Sequence, residues 1–270
     1  MADGIVTYGE RAEVDPELAL EQHTAYVDAL KDGGWSIREV APADELPDSA
    51  FVEDTVVVCG RMAVLTRPGA SERQAEVTGA EEAVRALGLE LARIEAPGTL
   101  DGGDVLQVGT TLYVGRGGRT NAEGIEQLRR LVEPHGFEVV AVALDGVLHL
   151  KSAVTALPDG TVIGSDPSLL DASCFPELRT VPEEAGSHVV LLGGNSVLMA
   201  ASAPRSAELF RDWGFEPVVV DIGEFEKMEG CVTCLSVLVG SLRAEGQGRL
   251  EEAVGTARAT VPVRPLGRLP

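Results

Sequence analysis

Apolar runs separated by short polar turns recur along the chain, and the clearest copy lies between residues 103 and 142. This copy contains two apolar runs, an amphipathic segment and a third apolar run, at residues 103–108, 112–115, 121–132 and 137–142. The amphipathic segment predicts a helix because Ile125, Leu128 and Val132 recur at helical spacing. The pattern therefore predicts a unit of two strands, one helix and a third strand.

Comparable strand pairs open near residues 51, 100, 149, 195 and 231, at intervals of 36–49 residues. Such a period is typical of rings or arrays whose units are each too small to bury their own apolar face. We therefore expect residues 1–270 to form one α/β domain, a five-bladed propeller of ββαβ units with pseudo-fivefold symmetry and a central site. The alternative is an open α/β sheet, but the sequence has no G-x-G-x-x-G or P-loop fingerprint to support a nucleotide-binding fold.

The composition narrows the class of ligand. A formal net charge of −21 argues against nucleic acid as a partner, because phosphate-binding surfaces need clustered Lys and Arg. Acidity suits small cationic or zwitterionic molecules. The first residues do not resemble a signal peptide, and no apolar run reaches membrane-spanning length. With four cysteines, these features predict a cytoplasmic protein with free thiols, a small-molecule partner and no membrane partner.

Polar side chains interrupt the apolar pattern at four places, around residues 48–54, 101–104, 148–152 and 231–234. Each place has an ordinary structural explanation, since Asp beside Gly makes turns, and a lone His or Cys is usually a core residue. If the units surround one axis, however, these places converge. Carboxylates, His149 and Cys234 would then supply the orienting acid, the proton carrier and the nucleophile of thiol catalysis.

Cys231 and Cys234 have the C-x-x-C spacing that zinc sites, redox motifs and plain packing share. Zinc, with His149 or Cys59 as further ligands, would need a second compact ligand pair that the sequence lacks. A thioredoxin-like pair would stand at a helix start, whereas the residues after Cys234 are typical of a strand. From the residues alone, Cys234 is therefore either a nucleophile or a core residue.

Five motifs in order along the chain resemble dimethylarginine dimethylaminohydrolase, of the guanidine-modifying (pentein) superfamily. They are FVEDTVVV, LDGGDVL, GRTN, LHLKSAVT and EFEKMEGCVTCLSVL. The similarity extends from about Val6 to Leu238. It implies a five-bladed α/β propeller without metal or organic cofactor. It also implies hydrolysis of Nω,Nω-dimethylarginine and Nω-monomethylarginine to citrulline plus dimethylamine or methylamine.

The resemblance also implies a role for each site residue. Cys234 is the implied nucleophile, His149 the general acid and base, and Asp101 its carboxylate partner, while Cys231 is assigned a structural role. The implied substrate contacts are Asp48 for the α-amino group, Glu53 and Asp54 for the guanidinium, Arg73 and Arg119 for the α-carboxylate, and Val6 and Met228 for the lid and wall.

Two rival functions stay open. Arginine deiminases share the fold and triad, but resemble a longer protein with an H-x-D motif, and here Lys151 stands at the acidic position. A catalytically silent propeller that acts as a binding protein is disfavoured, because the reacting and clamping residues are present together.

The end of the chain predicts an unusual connection. Residues 260–267 resemble the strand that opens other family members, whereas this chain opens in the segment that serves them as a lid. We therefore expect a circularly permuted member. Residues 240–258 would form a linker, Val261 to Leu266 would pair beside Thr233 to Val239, and Pro270 would lie near Met1.

Overall fold

The computed structural model describes residues 4–240 and 251–256. Its α-helices are α1 (Pro16–Asp32), α2 (Val77–Ala86), α3 (Ala122–Val132), α4 (Leu150–Ala153), α5 (Pro204–Asp212) and α6 (Gly223–Glu226). Its strands are β1 (Ser36–Val40), β2 (Val56–Cys59), β3 (Met62–Leu65), β4 (Glu90–Arg93), β5 (Val105–Val108), β6 (Thr111–Arg116), β7 (Glu138–Ala143), β8 (Val154–Ala156), β9 (Val162–Gly164), β10 (Leu178–Thr180), β11 (Val190–Gly193), β12 (Ser196–Ala200), β13 (Glu216–Val220), β14 (Ser236–Gly240) and β15 (Glu251–Thr256).

The described strands form five three-stranded sheets with one shared plan. The sheets are β2–β3–β4, β5–β6–β7, β8–β9–β10, β11–β12–β13 and β14–β15–β1. In each sheet the first two strands are antiparallel and the third is parallel to the second. A parallel partner requires a crossover connection, which α2, α3 and α5 supply in three of the sheets. The sheet β8–β9–β10 differs, because its crossover contains two short 3₁₀ helices, Pro167–Leu169 and Ala172–Cys174.

The helix predicted over residues 121–132 is confirmed as α3. Its first turn is capped by Asn121, whose side-chain oxygen accepts the backbone N–H of Gly124 at 2.8 Å. Ile125, Leu128 and Val132 are buried on the face that covers the sheet β5–β6–β7 and its neighbour. The 3.6-residue period thus gives the element and also its buried face.

The fifth sheet combines both ends of the chain. Strands β14 and β15 come from the C-terminal part, whereas α1 and β1 come from the N-terminal part. The predicted linker over residues 240–258 is wrong where the structure describes it, because Gly240 ends β14 and Glu251–Thr256 form β15. β15 fills the place beside β14 that the sequence assigned to Val261 to Leu266, with Val237 opposite Val254.

The remaining parts of that prediction fall on residues 241–250 and 257–270, which lie outside the described residues, as does Met1. The circular permutation therefore stays a prediction. No described helix has the length and apolar character needed to cross a bilayer.

The polar interruptions of the sequence lie in short turns that each lead into the first strand of a sheet. Val52–Thr55 precedes β2, Gly102–Asp104 precedes β5, α4 precedes β8, and the turn at 231–235 precedes β14. Four of the five sheets thus present polar side chains at the same point of the unit. These four turns carry the residues of the candidate site.

Candidate active site

His149 stands directly before α4, and its buried ring faces carboxylates. Its Nε2 lies 3.0 Å from Asp101 Oδ2, and its Nδ1 lies 3.7 Å from Asp54 Oδ1. Burial alone would lower the pKa of His149, but the nearby carboxylates, first that of Asp54, outweigh burial and raise the pKa to about 10. At neutral pH the ring is therefore an imidazolium, which can give a proton to a departing group.

The carboxylate of Asp101 is fully buried and fixed from both sides. The side-chain Oδ1 of Asp101 accepts the backbone N–H of Gly69 at 2.7 Å. The backbone N–H of Asp101 donates to Thr120 Oγ1 at 3.1 Å. A Cβ at Gly69 would lie 2.3 Å from the carbonyl oxygen of Arg119. Glycine is therefore required at position 69. The hydrogen bonds with Gly69 and Thr120 hold Asp101 in place to orient the His149 ring.

Asp54 lies at the bottom of the same site. Its Oδ1 accepts the Gly103 N–H at 2.8 Å, and its Oδ2 lies 2.5 Å from Arg73 Nη1. Burial would raise the pKa of Asp54, but His149 and Arg73 outweigh burial and hold the pKa well below its usual range. A Cβ at Gly103 would come within 2.7 Å of both Asp54 Oδ1 and His149 Nδ1, so the glycine is needed for the close approach of these groups.

Arg73 is deeper in the protein than a simple substrate clamp would be. Its Nη2 lies 2.7 Å from Glu76 Oε2 and also donates to the backbone carbonyls of Asp48 and Phe51. Its Nε donates to Glu76 as well, and its Nη1 is paired with Asp54. Most of its N–H groups are thus occupied, and the guanidinium neutralises two buried carboxylates. A contact of Arg73 with a substrate carboxylate stays a prediction.

Glu53 does not line the cavity and belongs to a second ion pair. Lys151 Nζ lies 2.6 Å from Glu53 Oε1, and Thr233 Oγ1 donates to Glu53 Oε2 at 3.0 Å. Burial raises the pKa of Glu53 to about 7 even though Lys151 lowers it. Lys151, which stands at the acidic position of the H-x-D motif, is therefore ion-paired with Glu53, a residue predicted to bind the substrate guanidinium.

The turn at 231–235 brings Cys234 to the cavity. The Cys234 N–H donates to the Cys231 carbonyl at 3.1 Å, and the Cys231 N–H donates to Cys234 Sγ at 3.4 Å. The two sulfur atoms lie 3.3 Å apart. The hydrogen bond with Cys231 and burial together hold the pKa of the Cys234 thiol well above its usual range. Cys234 is therefore a thiol before a ligand binds.

The segment before α1 covers the site through polar contacts. Both oxygens of Asp48 accept the Ile5 N–H, at 3.1 and 3.2 Å. Glu229 accepts the N–H groups of Thr7, Tyr8 and Gly9 at 2.7, 2.6 and 2.5 Å. We call residues 5–9 the lid. Glu229 was not predicted from the sequence, and the local sequence gives no signal for it.

These side chains surround one cavity. Its lining consists of Ile5, Asp48, Phe51, Asp54, Arg73, Arg119, Leu148, His149, Met228, Glu229, Gly230 and Cys234. The predicted nucleophile, the predicted proton carrier and most of the predicted substrate contacts therefore meet in one place. Among the predicted residues, Asp101 and Glu53 lie behind this lining, and the lid contributes Ile5 in place of Val6.

Arg119 reaches the cavity beneath the lid. Its Nη2 donates to Thr7 Oγ1 at 3.1 Å, and its Nη1 lies 3.9 Å from Asp101 Oδ2. Its side chain keeps 14% of its surface exposed. Arg119 is therefore less committed to protein partners than Arg73 is.

In the described ranges, Asp54, Asp101 and His149 form a group whose ligand atoms lie within 4.8 Å of one another. A cation there would compete with Arg73 and with the protonated His149 ring. The same carboxylates suit an organic cation, because a guanidinium forms paired hydrogen bonds with carboxylate oxygens.

No protein-family model matches the chain. It is 62% identical, over 242 residues, to the N(G),N(G)-dimethylarginine dimethylaminohydrolase of Streptomyces coelicolor, covering 90% of this chain and 94% of that protein. The chain belongs to the dimethylarginine dimethylaminohydrolase family. This confirms the resemblance drawn from the five motifs.

Two solved structures of the dimethylarginine dimethylaminohydrolase family share the fold. An adduct with S-methyl-L-thiocitrulline has a TM-score of 0.81 at 34% identity, covering 86% of this chain and 92% of the other. The Pseudomonas aeruginosa protein in complex with citrulline has a TM-score of 0.79 at 36% identity, with the same coverage. The α/β fold of the family is therefore the fold of this chain.

Proposed function

We propose that the protein hydrolyses Nω,Nω-dimethylarginine and Nω-monomethylarginine to citrulline plus dimethylamine or methylamine. The observation that carries this proposal is the convergence of Cys234, the His149–Asp101 pair and Asp54 on one cavity. Two related structures hold citrulline and S-methyl-L-thiocitrulline, which supports a ligand with this side chain.

The first step is formation of a covalent bond between Cys234 Sγ and the guanidinium carbon. The substrate cation enters beside Asp54 and favours transfer of the Cys234 proton to solvent, because it offsets the negative charge of the carboxylates. The thiolate adds to the carbon, and the His149 imidazolium gives a proton to the departing dimethylamine. Cys234 then holds a thiouronium.

The second step releases citrulline. His149, now neutral, removes a proton from a water molecule that attacks the same carbon, and the C–S bond breaks. Asp101 keeps the ring oriented in both steps through its 3.0 Å contact with Nε2. Its negative charge also stabilises the imidazolium that forms again.

Lys151 helps the site to accept a dialkylated nitrogen. That nitrogen carries no N–H, so a free carboxylate facing it would lose solvent without gaining a hydrogen bond. The pairing of Glu53 with Lys151 removes one carboxylate from this role and leaves Asp54 for the nitrogens that carry hydrogen. This arrangement favours methylated arginine over arginine.

The five sheets support the proposal of a five-bladed propeller, since each pairs two antiparallel strands with a third, parallel strand and four of them contribute a turn to the site. The free state of all four cysteines supports a cytoplasmic location.

Citrulline release from dimethylarginine and from arginine, measured side by side with Cys234→Ser as the control, tests the function. The proposal predicts citrulline from dimethylarginine, far less from arginine, and none from the control. Preference for arginine would indicate a deiminase, and no citrulline from either substrate would indicate a binding protein.

A further inference from the structure

Two thiols at the edge of the cavity are placed so that they can be joined. Cys231 Sγ and Cys234 Sγ lie 3.3 Å apart, and both are free thiols. The hydrogen bond from the Cys234 N–H to the Cys231 carbonyl makes them the first and last residues of a turn. The Cα atoms of such residues lie within about 7 Å, and disulfides span about 4.4–6.8 Å between Cα atoms. The backbone thus permits a disulfide without a change of fold.

The two thiols differ in their access to the cavity. Cys234 lines it, whereas Cys231 keeps only 6% of its surface exposed and lies behind the lining. Thr233 Oγ1 lies 3.3 Å from Cys231 Sγ and holds this second sulfur beside the first. A small oxidant that enters the cavity therefore meets Cys234 first and finds Cys231 within bonding reach.

The remaining thiols lack this arrangement. Cys59 is buried in the apolar cluster around α3, and Cys174 packs in the cluster around β8 and β9. The pairing of thiols is thus confined, among the described residues, to Cys231 and Cys234.

We propose that Cys231 and Cys234 form an oxidation site, in which a hydroperoxide converts the two thiols into an intramolecular disulfide. Cys231, assigned a structural role from the sequence, becomes the resolving thiol. The loss of activity that follows rests on the proposed function, because it requires Cys234 to be the nucleophile. Formation of the disulfide does not.

The oxidation of the two thiols takes two steps. Cys234 sulfur attacks the peroxide, so that an S–O bond forms and the O–O bond breaks, while the Cys234 proton passes to the leaving hydroxide, which becomes water. Cys231 sulfur then attacks Cys234 sulfur, and the hydroxyl leaves as a second water with the Cys231 proton. Two thiols are oxidised, and one hydroperoxide is reduced.

The hydrogen bond between the thiols supports the second step. It lowers the pKa of Cys231 well below, and raises the pKa of Cys234 well above, the ordinary thiol value. Cys231 therefore loses its proton more readily than an ordinary thiol when its sulfur attacks the oxidised Cys234 sulfur.

The test treats the full-length reduced protein with hydrogen peroxide, maps disulfides by mass spectrometry and measures citrulline release before and after dithiothreitol. Cys231→Ser is the test variant, Cys174→Ser is the matched control, and each is compared with its own reduced activity. We expect wild type and Cys174→Ser to lose activity in proportion to the 231–234 disulfide and to recover it with dithiothreitol. Cys231→Ser should lose activity to sulfinic acid at Cys234 and not recover.

Disulfide mapping in the wild-type protein tests the proposal even if Cys231→Ser does not fold. Oxidised Cys234 without a 231–234 disulfide would overturn it, and so would full recovery of Cys231→Ser. A 231–234 disulfide that leaves activity intact would support the oxidation site and overturn Cys234 as the nucleophile.

Discussion

The Arg73→Met substitution should cost the protein stability as well as substrate affinity, because Arg73 is an internal counter-charge. Its Nη1 lies 2.5 Å from Asp54 Oδ2 and its Nη2 lies 2.7 Å from Glu76 Oε2, with at most 6% of each side chain exposed. Methionine fills part of the space but leaves both carboxylates without this partner. Removing one partner of a buried ion pair typically costs about 3–5 kcal/mol of unfolding free energy.

Urea denaturation measures this loss directly. With an m-value of about 3 kcal/mol per molar urea, the expected cost lowers the midpoint by about 1–1.7 M. Arg119→Met is the matched control, because its side chain is more exposed and lies 3.9 Å from Asp101. This control should leave the midpoint nearly unchanged and raise KM by about ten- to a hundredfold, the loss of one charge-assisted contact.

The loss of unfolding free energy in Arg73→Met should also depend on pH. Burial raises the pKa of Glu76 from 4.5 to about 7 even with Arg73 present. A carboxyl whose pKa is raised in the folded state binds its proton more tightly there, so stability falls as pH rises from about 4.5 to about 7. Without Arg73 that pKa rises further, so lowering the pH from about 8 to about 6 should recover part of the lost stability.

If Arg73→Met keeps the wild-type urea midpoint at each pH and shows only a raised KM, Arg73 is not an internal counter-charge. Arg73 would then be a free substrate clamp, as the sequence motif suggested. A guanidine substrate that lacks the carboxylate adds a check, since Arg119→Met should hardly affect its turnover.

Three further predictions concern the reacting groups and the lid. Asp101→Asn should lower kcat by about ten- to a hundredfold with little change in KM, because it removes one charge-assisted bond to the imidazolium; a change confined to KM would contradict the orienting role. Glu229→Gln should raise KM by up to about tenfold and speed proteolysis near Tyr8, because it weakens the hydrogen bonds that hold the lid. The effect on KM should stay small, since these contacts are exposed; unchanged proteolysis would show that Glu229 does not hold the lid. Alkylation of Cys234 by iodoacetamide should begin at lower pH when a non-hydrolysable guanidinium ligand is bound, and identical pH profiles with and without ligand would contradict a role for the bound cation in thiol ionisation.

The strand and helix plan could be predicted from the sequence because each unit repeats the same periods. The helix at 122–132 lies where the pattern placed it, whereas His149 and Asp101, expected near the openings of strand pairs, lie just before the short turns that precede β8 and β5. The strand at 251–256 was not predicted, because residues 261–266, further along the chain, carry the motif that resembles the family's first strand. A single strand has no partner in its own sequence, so its register depends on distant residues.

The charge network of the site could not be predicted from the sequence. The motifs gave Arg73 and Asp54 as separate substrate contacts, but their pairing depends on how a turn before β2 and the segment before α2 meet in space. The role of Glu229 is even harder to predict from the sequence, because the residue adopts a left-handed backbone conformation with φ 61° that non-glycine residues rarely take. Its contacts with the lid span more than 200 residues of sequence.

During turnover, Cys234 sulfur is expected to bond to the guanidinium carbon. Acid quenching of the protein during reaction with dimethylarginine, followed by peptide mapping, tests it most directly. We expect a thiouronium adduct on Cys234 that forms and decays at rates consistent with citrulline release, and no such adduct in Cys234→Ser. An adduct on Cys231, or undiminished citrulline release by Cys234→Ser, would contradict it.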